Sequence, residues 1–185
     1  CDDPMSLLWR YVRMTDREFD EDPVVIFDLD GTLALIDERR AISTKPNGKI
    51  HYGKFFDPKN ISLDKPNLPV IGMLGLLKSL YRIVIFSGRS DRTKDATEHW
   101  LWGHDIHYDE LWMRHDGDYT PDDILKQNWL EEILLLRPYS HRNVMDIGLR
   151  TQPADIHCVF DDRQRVVDMW RRNGLTCFQV ADGNF

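Results

Sequence analysis

Two carboxylates one residue apart, Asp28 and Asp30, follow the apolar run Val24-Val25-Ile26-Phe27 and are closed off by Gly31-Thr32. The run is rich in β-branched residues and predicts a buried strand that delivers both acids to its C-terminal tip. Alternation along a strand puts Asp28 and Asp30 on one side, where two anions repel unless a cation joins them or one holds a proton. A divalent metal meets that need, and Mg²⁺ prefers hard oxygen ligands. A second apolar run, Arg82 to Phe86, ends in Ser87-Gly88-Arg89. A hydroxyl, an exposed backbone N–H and a guanidinium all donate to phosphoryl oxygens, so this tip is a candidate phosphate site. A third run, Ile156 to Phe160, ends in another acidic pair, Asp161-Asp162, followed by Arg163. Taken singly, each signal also fits an ordinary turn at a strand end.

The elements that must position these groups alternate between strand and helix. Pro69 to Leu80 carries Ile71, Leu74, Leu77 and Leu80 at helical spacing, and Asp91 to Trp102 is a further helix. Glu110 to Met113 is a short strand; Arg114-His115-Asp116-Gly117-Asp118 follows it and is expected to face the same cavity. His115 has no second histidine at ligand spacing, which favours a polar-loop role over metal ligation. Thr120 is the expected N-cap of the next helix, with Pro121 at its first position, Asp122 and Asp123 in its first turn and Lys126 one turn in. A helix from Gln164 to Arg172 stops at Asn173-Gly174, and Thr176 to Val180 is a last strand. This alternation predicts an α/β fold: a doubly wound, mainly parallel sheet with helices on both faces. Ligands then bind beyond the C-terminal strand ends. With the first strand central and the Ser87 and Asp161 strands beside it, all the suspect groups converge.

Outside that frame, Asp3-Pro4 begins an expected helix with Met5, Leu8, Trp9 and Val12 on one face, followed by an acidic linker up to Asp22. That helix either packs between subunits of a homo-oligomer or covers the sheet. Residues 37–69 form a long excursion after the first strand, the expected place for a small cap or lid. Gly48 to Lys54 within it has the spacing of a phosphate-binding loop, but Phe55 stands where Ser or Thr must follow and no strand precedes it. The stretch from Arg137 to Asp155 is loop-like.

The chain has 185 residues, 42% of them hydrophobic, enough for one well-buried domain, residues 23–185. A net charge of −7 argues against gripping a long nucleic acid track, whose affinity comes from Lys and Arg displacing counterions; a nucleic acid end or a mononucleotide stays compatible. Three cysteines without metal spacing favour a reducing compartment, and no apolar stretch is long enough for a membrane span. A soluble, intracellular protein is expected.

The set Asp28-Leu29-Asp30-Gly31-Thr32, Ser87-Gly88-Arg89, Lys126 and Asp161-Asp162 resembles, in order, the four motifs of the haloacid dehalogenase superfamily of phosphotransferases. The tail from Phe160 to Phe185 resembles the end of the bacteriophage polynucleotide kinase/3′-phosphatases, and the likeness covers their phosphatase half from about Pro23 onward. The stretch between Lys126 and Asp161 is longer than in that family. The resemblance implies a Mg²⁺-dependent phosphatase acting through an aspartyl-phosphate. Asp28 is then the nucleophile, and Asp30 the acid that protonates the leaving oxygen and later activates water. It implies Mg²⁺ on Asp28, Asp30 (through its backbone carbonyl), Asp161 and Asp162. Ser87 and Lys126 bind phosphoryl oxygens, with Thr32, Gly88, Arg89, Arg114 and Arg163 as further phosphate or substrate contacts. The implied substrate is a 3′-phosphate on a DNA or RNA end, in the cytoplasm (of a bacterial host if the chain is phage-borne). A nucleotidase acting on nucleoside monophosphates stays open, as does a non-catalytic module that binds nucleic acid ends or docks another repair protein.

Overall fold

The computed structural model describes residues 23–136 and 156–183; the expected N-terminal helix and linker and the 137–155 stretch lie outside them. In chain order the elements are β1 (Val24–Asp28), β2 (Ala34–Leu35), α1 (Asp37–Ser43), α2 (Tyr52–Phe55), α3 (Pro58–Ile61), β3 (Lys65–Pro66) and α4 (Leu68–Leu77). There follow β4 (Arg82–Ser90), a 3-10 turn (Asp91–Thr93), α5 (Lys94–Gly103), β5 (Glu110–Arg114), α6 (Asp122–Leu136), β6 (Ile156–Asp161), α7 (Gln164–Arg172) and β7 (Cys177–Gln179).

Five strands form one parallel sheet in the order β5-β4-β1-β6-β7. The expected doubly wound α/β fold is borne out, with β1 central between the two strands expected beside it. All five residues of β1 are buried, as a strand covered on both faces requires. Alternation divides its side chains between two cores. Val24 and Ile26 join Val84, Phe86 and Val159 under Leu130 and Ile133 of α6 and Val166, Val167 and Trp170 of α7. Val25 and Phe27 join Ile83, Ile85 and Phe160 under Leu74 of α4 and Trp100 and Leu101 of α5. Each such side chain contributes about 1.5–3 kcal/mol by leaving water. The same alternation carries Asp28, two residues after Ile26, to the α6 and α7 face.

Some boundaries differ from expectation for local reasons. α4 ends at Leu77, and Leu80 is 52% exposed, because the chain must turn into β4 and Tyr81 packs on the core instead. β4 runs on to Ser90, with its pairing to β5 interrupted between Ser87 and Ser90, so Ser87-Gly88-Arg89 occupies a bulge rather than a plain strand end. α6 begins at Asp122, one residue later than expected, and the Pro121 carbonyl accepts from the Ile124 and Leu125 N–H groups. The 37–69 excursion is three short helices, closed at its base by the antiparallel β2-β3 pair and by the Asn67 side chain donating to the Thr32 carbonyl at 2.8 Å. Among the described residues no helix is long and apolar enough to cross a membrane.

Candidate active site

A cavity of about 950 Å³ opens beyond the C-terminal ends of β1, β4 and β6. Asp28, Asp30, Lys126, Asp161 and Asp162 line it, and so do Gly88, Arg114 and Arg163. The topology makes this convergence: the chain winds outward from β1 through β4 to β5, then crosses back to β6, leaving a crevice where the winding reverses.

Asp28, at the end of β1, and Asp161, at the end of β6, meet across Lys126. Its Nζ donates to Asp28 Oδ1 at 2.6 Å and to Asp161 Oδ2 at 2.7 Å, and all three side chains are buried. Lys126 reaches them because the α6 turn that follows Asp122 lies over the β1 face holding Ile26. Burial alone would lower the lysine, but the two carboxylates hold its ammonium well above the ordinary range. Burial pushes Asp28 well up; Lys126 counters this and Asp161 and Asp162 add to it. Asp162 is pushed up to about 6 by burial and by Asp161. Ligand oxygens of Asp28, Asp161 and Asp162 lie within 4.8 Å of one another, and buried Asp28 Oδ2 and Asp162 Oδ2 have no hydrogen-bond partner. Three hard, desolvated carboxylates facing one lysine leave negative charge unmatched, so the donor set fits a divalent cation. Gly31, at φ 95°, lets the chain pass this cluster: a Cβ there would lie 2.6 Å from the Asp162 carboxyl carbon.

Asp30 leaves the strand and turns to a different set of partners. Its Oδ1 accepts from Arg39 Nη2 at 2.6 Å and from Arg89 Nε and Nη2 at 2.8 and 2.5 Å. Asp64 sits on the far side of the same arginines, accepting from Arg39 Nε at 2.8 Å and Arg89 Nη2 at 2.7 Å. Burial raises both acids. At Asp30 the two guanidiniums prevail and hold it at about 2, whereas Asp64, with Asp30 opposing, is pushed up to about 6.

Other expected site residues lie elsewhere. Arg89, read from the sequence as a substrate contact, is fully buried and engaged by Asp30, Asp64 and Thr97, and does not line the cavity. Ser87 is buried with its Oγ accepting the Arg89 N–H at 3.3 Å, and Thr32 is buried with its hydroxyl unpartnered; neither lines the cavity. Arg114 and Arg163 do line it, and Asp122 bridges them by accepting from both guanidiniums. Arg114 also donates to the Gly88 carbonyl at 3.0 Å, which ties β5 to the β4 bulge. His115 is exposed and paired with Asp91 at 2.9 Å. Gly48 sits in a turn closed onto Lys45 and Lys54 lies in α2, so that spacing forms no phosphate loop. Sequence reasoning missed Arg39, Asp64 and the bridging role of Asp122. Arg39 and Asp64 are 25 residues apart, and no local pattern links them.

Residues 22–147 and 151–185 match the family model described as the polynucleotide kinase PNKP phosphatase domain. A chain of the Pnkp1/Rnl/Hen1 RNA repair complex is 33% identical over 89% of this chain, with a TM-score of 0.61. This chain spans only 44% of that one. More distant structures share the fold: a haloacid dehalogenase-like hydrolase from Streptococcus pneumoniae (12% identity, TM-score 0.56, covering 85% of this chain and 84% of that one) and CbbY from Rhodobacter sphaeroides (14%, 0.52, 84% and 84%). With carboxylates at the strand tips of this sheet and Lys126 reaching them from α6, the chain is a haloacid dehalogenase-type phosphatase and belongs to the polynucleotide kinase PNKP phosphatase domain family.

Proposed function

We propose that this protein removes 3′-phosphates from nucleic acid ends in a Mg²⁺-dependent reaction through an aspartyl-phosphate. The observation that carries the reading is the buried Asp28-Lys126-Asp161 bridge beside Asp162, at the floor of a cavity far larger than a phosphate group. The PNKP family match and the likeness to a chain of an RNA repair complex favour a polynucleotide end over a free nucleotide. Asp28 and Asp162, which carry the partnerless oxygens, would hold Mg²⁺ together with Asp161 and the Asp30 carbonyl. When bound, the ion supplies positive charge that offsets repulsion between these carboxylates and the phosphate.

The steps on this chain's own residues follow. A carboxylate oxygen of Asp28 attacks phosphorus as the bond to the substrate's 3′-oxygen breaks, with Asp30 delivering a proton to that oxygen. Water then attacks the phosphoaspartate and gives its proton to Asp30, and Asp28 and inorganic phosphate are released. Held at about 2, Asp30 is ionised at neutral pH, which suits the second step. For the first step, the incoming phosphate's own charge raises the proton affinity that Arg39 and Arg89 otherwise hold down. Arg89 and Arg39 are thus positioning residues for Asp30. Lys126 orients Asp28 and favours its ionised form against the pull of burial, and Gly88 offers its N–H to the phosphate beside Arg114 and Arg163. Residues 37–69 act as a small cap over the cavity.

Phosphate release compared across a 3′-phosphorylated oligonucleotide, its 5′-phosphorylated isomer and nucleoside 3′- and 5′-monophosphates, with Mg²⁺ and with chelator, tests the proposal. It predicts the highest kcat/KM for the 3′-phosphorylated strand and none without metal. Preference for free nucleotides would make the protein a nucleotidase, and silence on every substrate would make it a binding module.

A further inference from the structure

The two walls of the cavity mouth differ in how their charges are matched. The arginines that line the cavity from β5, α7 and the 3-10 turn have carboxylate partners: Arg114 and Arg163 share Asp122, Arg165 faces Asp123 at 3.5 Å, and Arg92 faces Asp116 at 4.0 Å. The cap is the opposite case. Residues 41–63 carry Lys45, Lys49, Lys54 and Lys59 against a single acid, Asp57, whose carboxylate accepts the Lys59 backbone N–H at 3.0 Å. All four lysines are exposed, and among the described residues no carboxylate pairs with them. In a chain of net charge −7 this is a local reversal of the field, and Lys49 and Lys54 adjoin Ile50, Gly53 and Phe55, which line the cavity.

An aromatic surface lies among these charges. Tyr52, 66% exposed, lines the cavity and stacks on Phe56, with ring centroids 6.1 Å apart and planes 17° from parallel. A large exposed ring backed by a second ring, on a segment that also carries these lysines, is the combination that binds single strands: bases stack on the ring while the cations take backbone phosphates. A duplex would keep its bases from Tyr52, and a free nucleotide has no further phosphates for the lysines.

We propose that the cap is a single-strand track: the nucleotides leading to the terminal phosphate run across it, with a base on Tyr52 and backbone phosphates on Lys45, Lys49, Lys54 and Lys59. The inference rests on the 3′-phosphatase reading only for the polarity of the strand.

The test uses the intact chain and a fluorescein-labelled single strand of about ten nucleotides, ended by a 3′-hydroxyl so that no turnover occurs, with binding followed by anisotropy at several salt concentrations. Wild type should bind with a marked salt dependence. Replacing the four lysines by glutamine should weaken binding at least tenfold and lower the log–log salt slope by about 3, from roughly 0.7 per phosphate contact on a single strand. Tyr52→Ala should weaken binding several-fold with the slope unchanged. Should the fourfold variant fail to fold, by its circular dichroism, each single Lys→Gln change should still lower the slope by about 0.7. A wild type that does not bind the strand, or folded variants that bind it as tightly and with the same slope, would overturn the proposal. Failure of the phosphatase reading looks different: the strand binds through the cap, but its 3′-phosphorylated form releases no phosphate.

Discussion

Replacing Lys126 by methionine removes one charge from a site where, among the described residues, the three carboxylates are offset otherwise only by Arg163 near Asp162. Lys126 is 3% exposed and bonded at 2.6 and 2.7 Å, so water cannot take its place. Breaking a buried pair by removing one member costs about 3–5 kcal/mol, because the remaining charge stays desolvated. For a domain of this size that lowers Tm by on the order of 10 °C. Two features distinguish this from loss of packing. The deficit should shrink as pH falls from 8 to 5, because without the ammonium Asp28 is raised further and a proton can replace the missing charge. It should also shrink on adding Mg²⁺, which should stabilise the Lys126→Met protein more than the wild type. Urea unfolding at both pH values, with Mg²⁺ and with chelator, measures all of this. A deficit under about 1 kcal/mol, or one indifferent to both pH and metal, would refute the electrostatic account of this bridge.

Other perturbations read the remaining parts of the site. Gly31→Ala should displace Asp162 and strain the backbone at φ 95°, costing about 1–3 kcal/mol and weakening Mg²⁺ binding; calorimetric titration of the ion checks it. Mg²⁺ affinity should fall as pH drops below about 6, since Asp162 is then protonated and the ion must displace a proton; the same titration at pH 5 and 7.5 gives the sign. Asp30, held at about 2 in the fold against an ordinary value near 3.9, contributes on the order of 2 kcal/mol that is present above pH 4 and lost as pH falls towards 2. Arg39→Met should therefore lower stability at pH 7 and show a narrowing gap from wild type below pH 4, read by unfolding at each pH. Asp28→Asn should keep the fold and abolish phosphate release.

The fold was legible because β1, β4 and β6 are apolar runs closed by chemistry-bearing residues, and their parallel pairing follows from the helices between them. The Asp28, Lys126 and Asp161-Asp162 cluster was legible for the same reason: strand ends converge in a doubly wound sheet whatever the details of packing. The arginines and Asp64 packed around Asp30 were not legible. Arg89 sits after an apolar strand and reads as a phosphate binder, yet the bulge after Ser87 turns it inward to Asp30. Arg39 is one charge among several at the start of the 37–69 excursion, and its burial against Asp64 depends on how that excursion folds back, which periodicity cannot report. Strand alternation put Asp28 and Asp30 together. Because β1 ends at Asp28, Asp30 lies in the turn just before Gly31, and the two acids end with opposite environments, one raised and one held at about 2.

The proposed reaction begins with attack of Asp28 on phosphorus. Asp30→Asn protein, mixed with radiolabelled para-nitrophenyl phosphate, whose leaving group needs no proton, should accumulate label on the enzyme after an acid quench in the presence of Mg²⁺. Peptide mapping should place that label on Asp28, and the Asp28→Asn, Asp30→Asn double variant should carry none. Label on another residue, or phosphate release by a folded Asp28→Asn protein at the wild-type rate, would contradict the account.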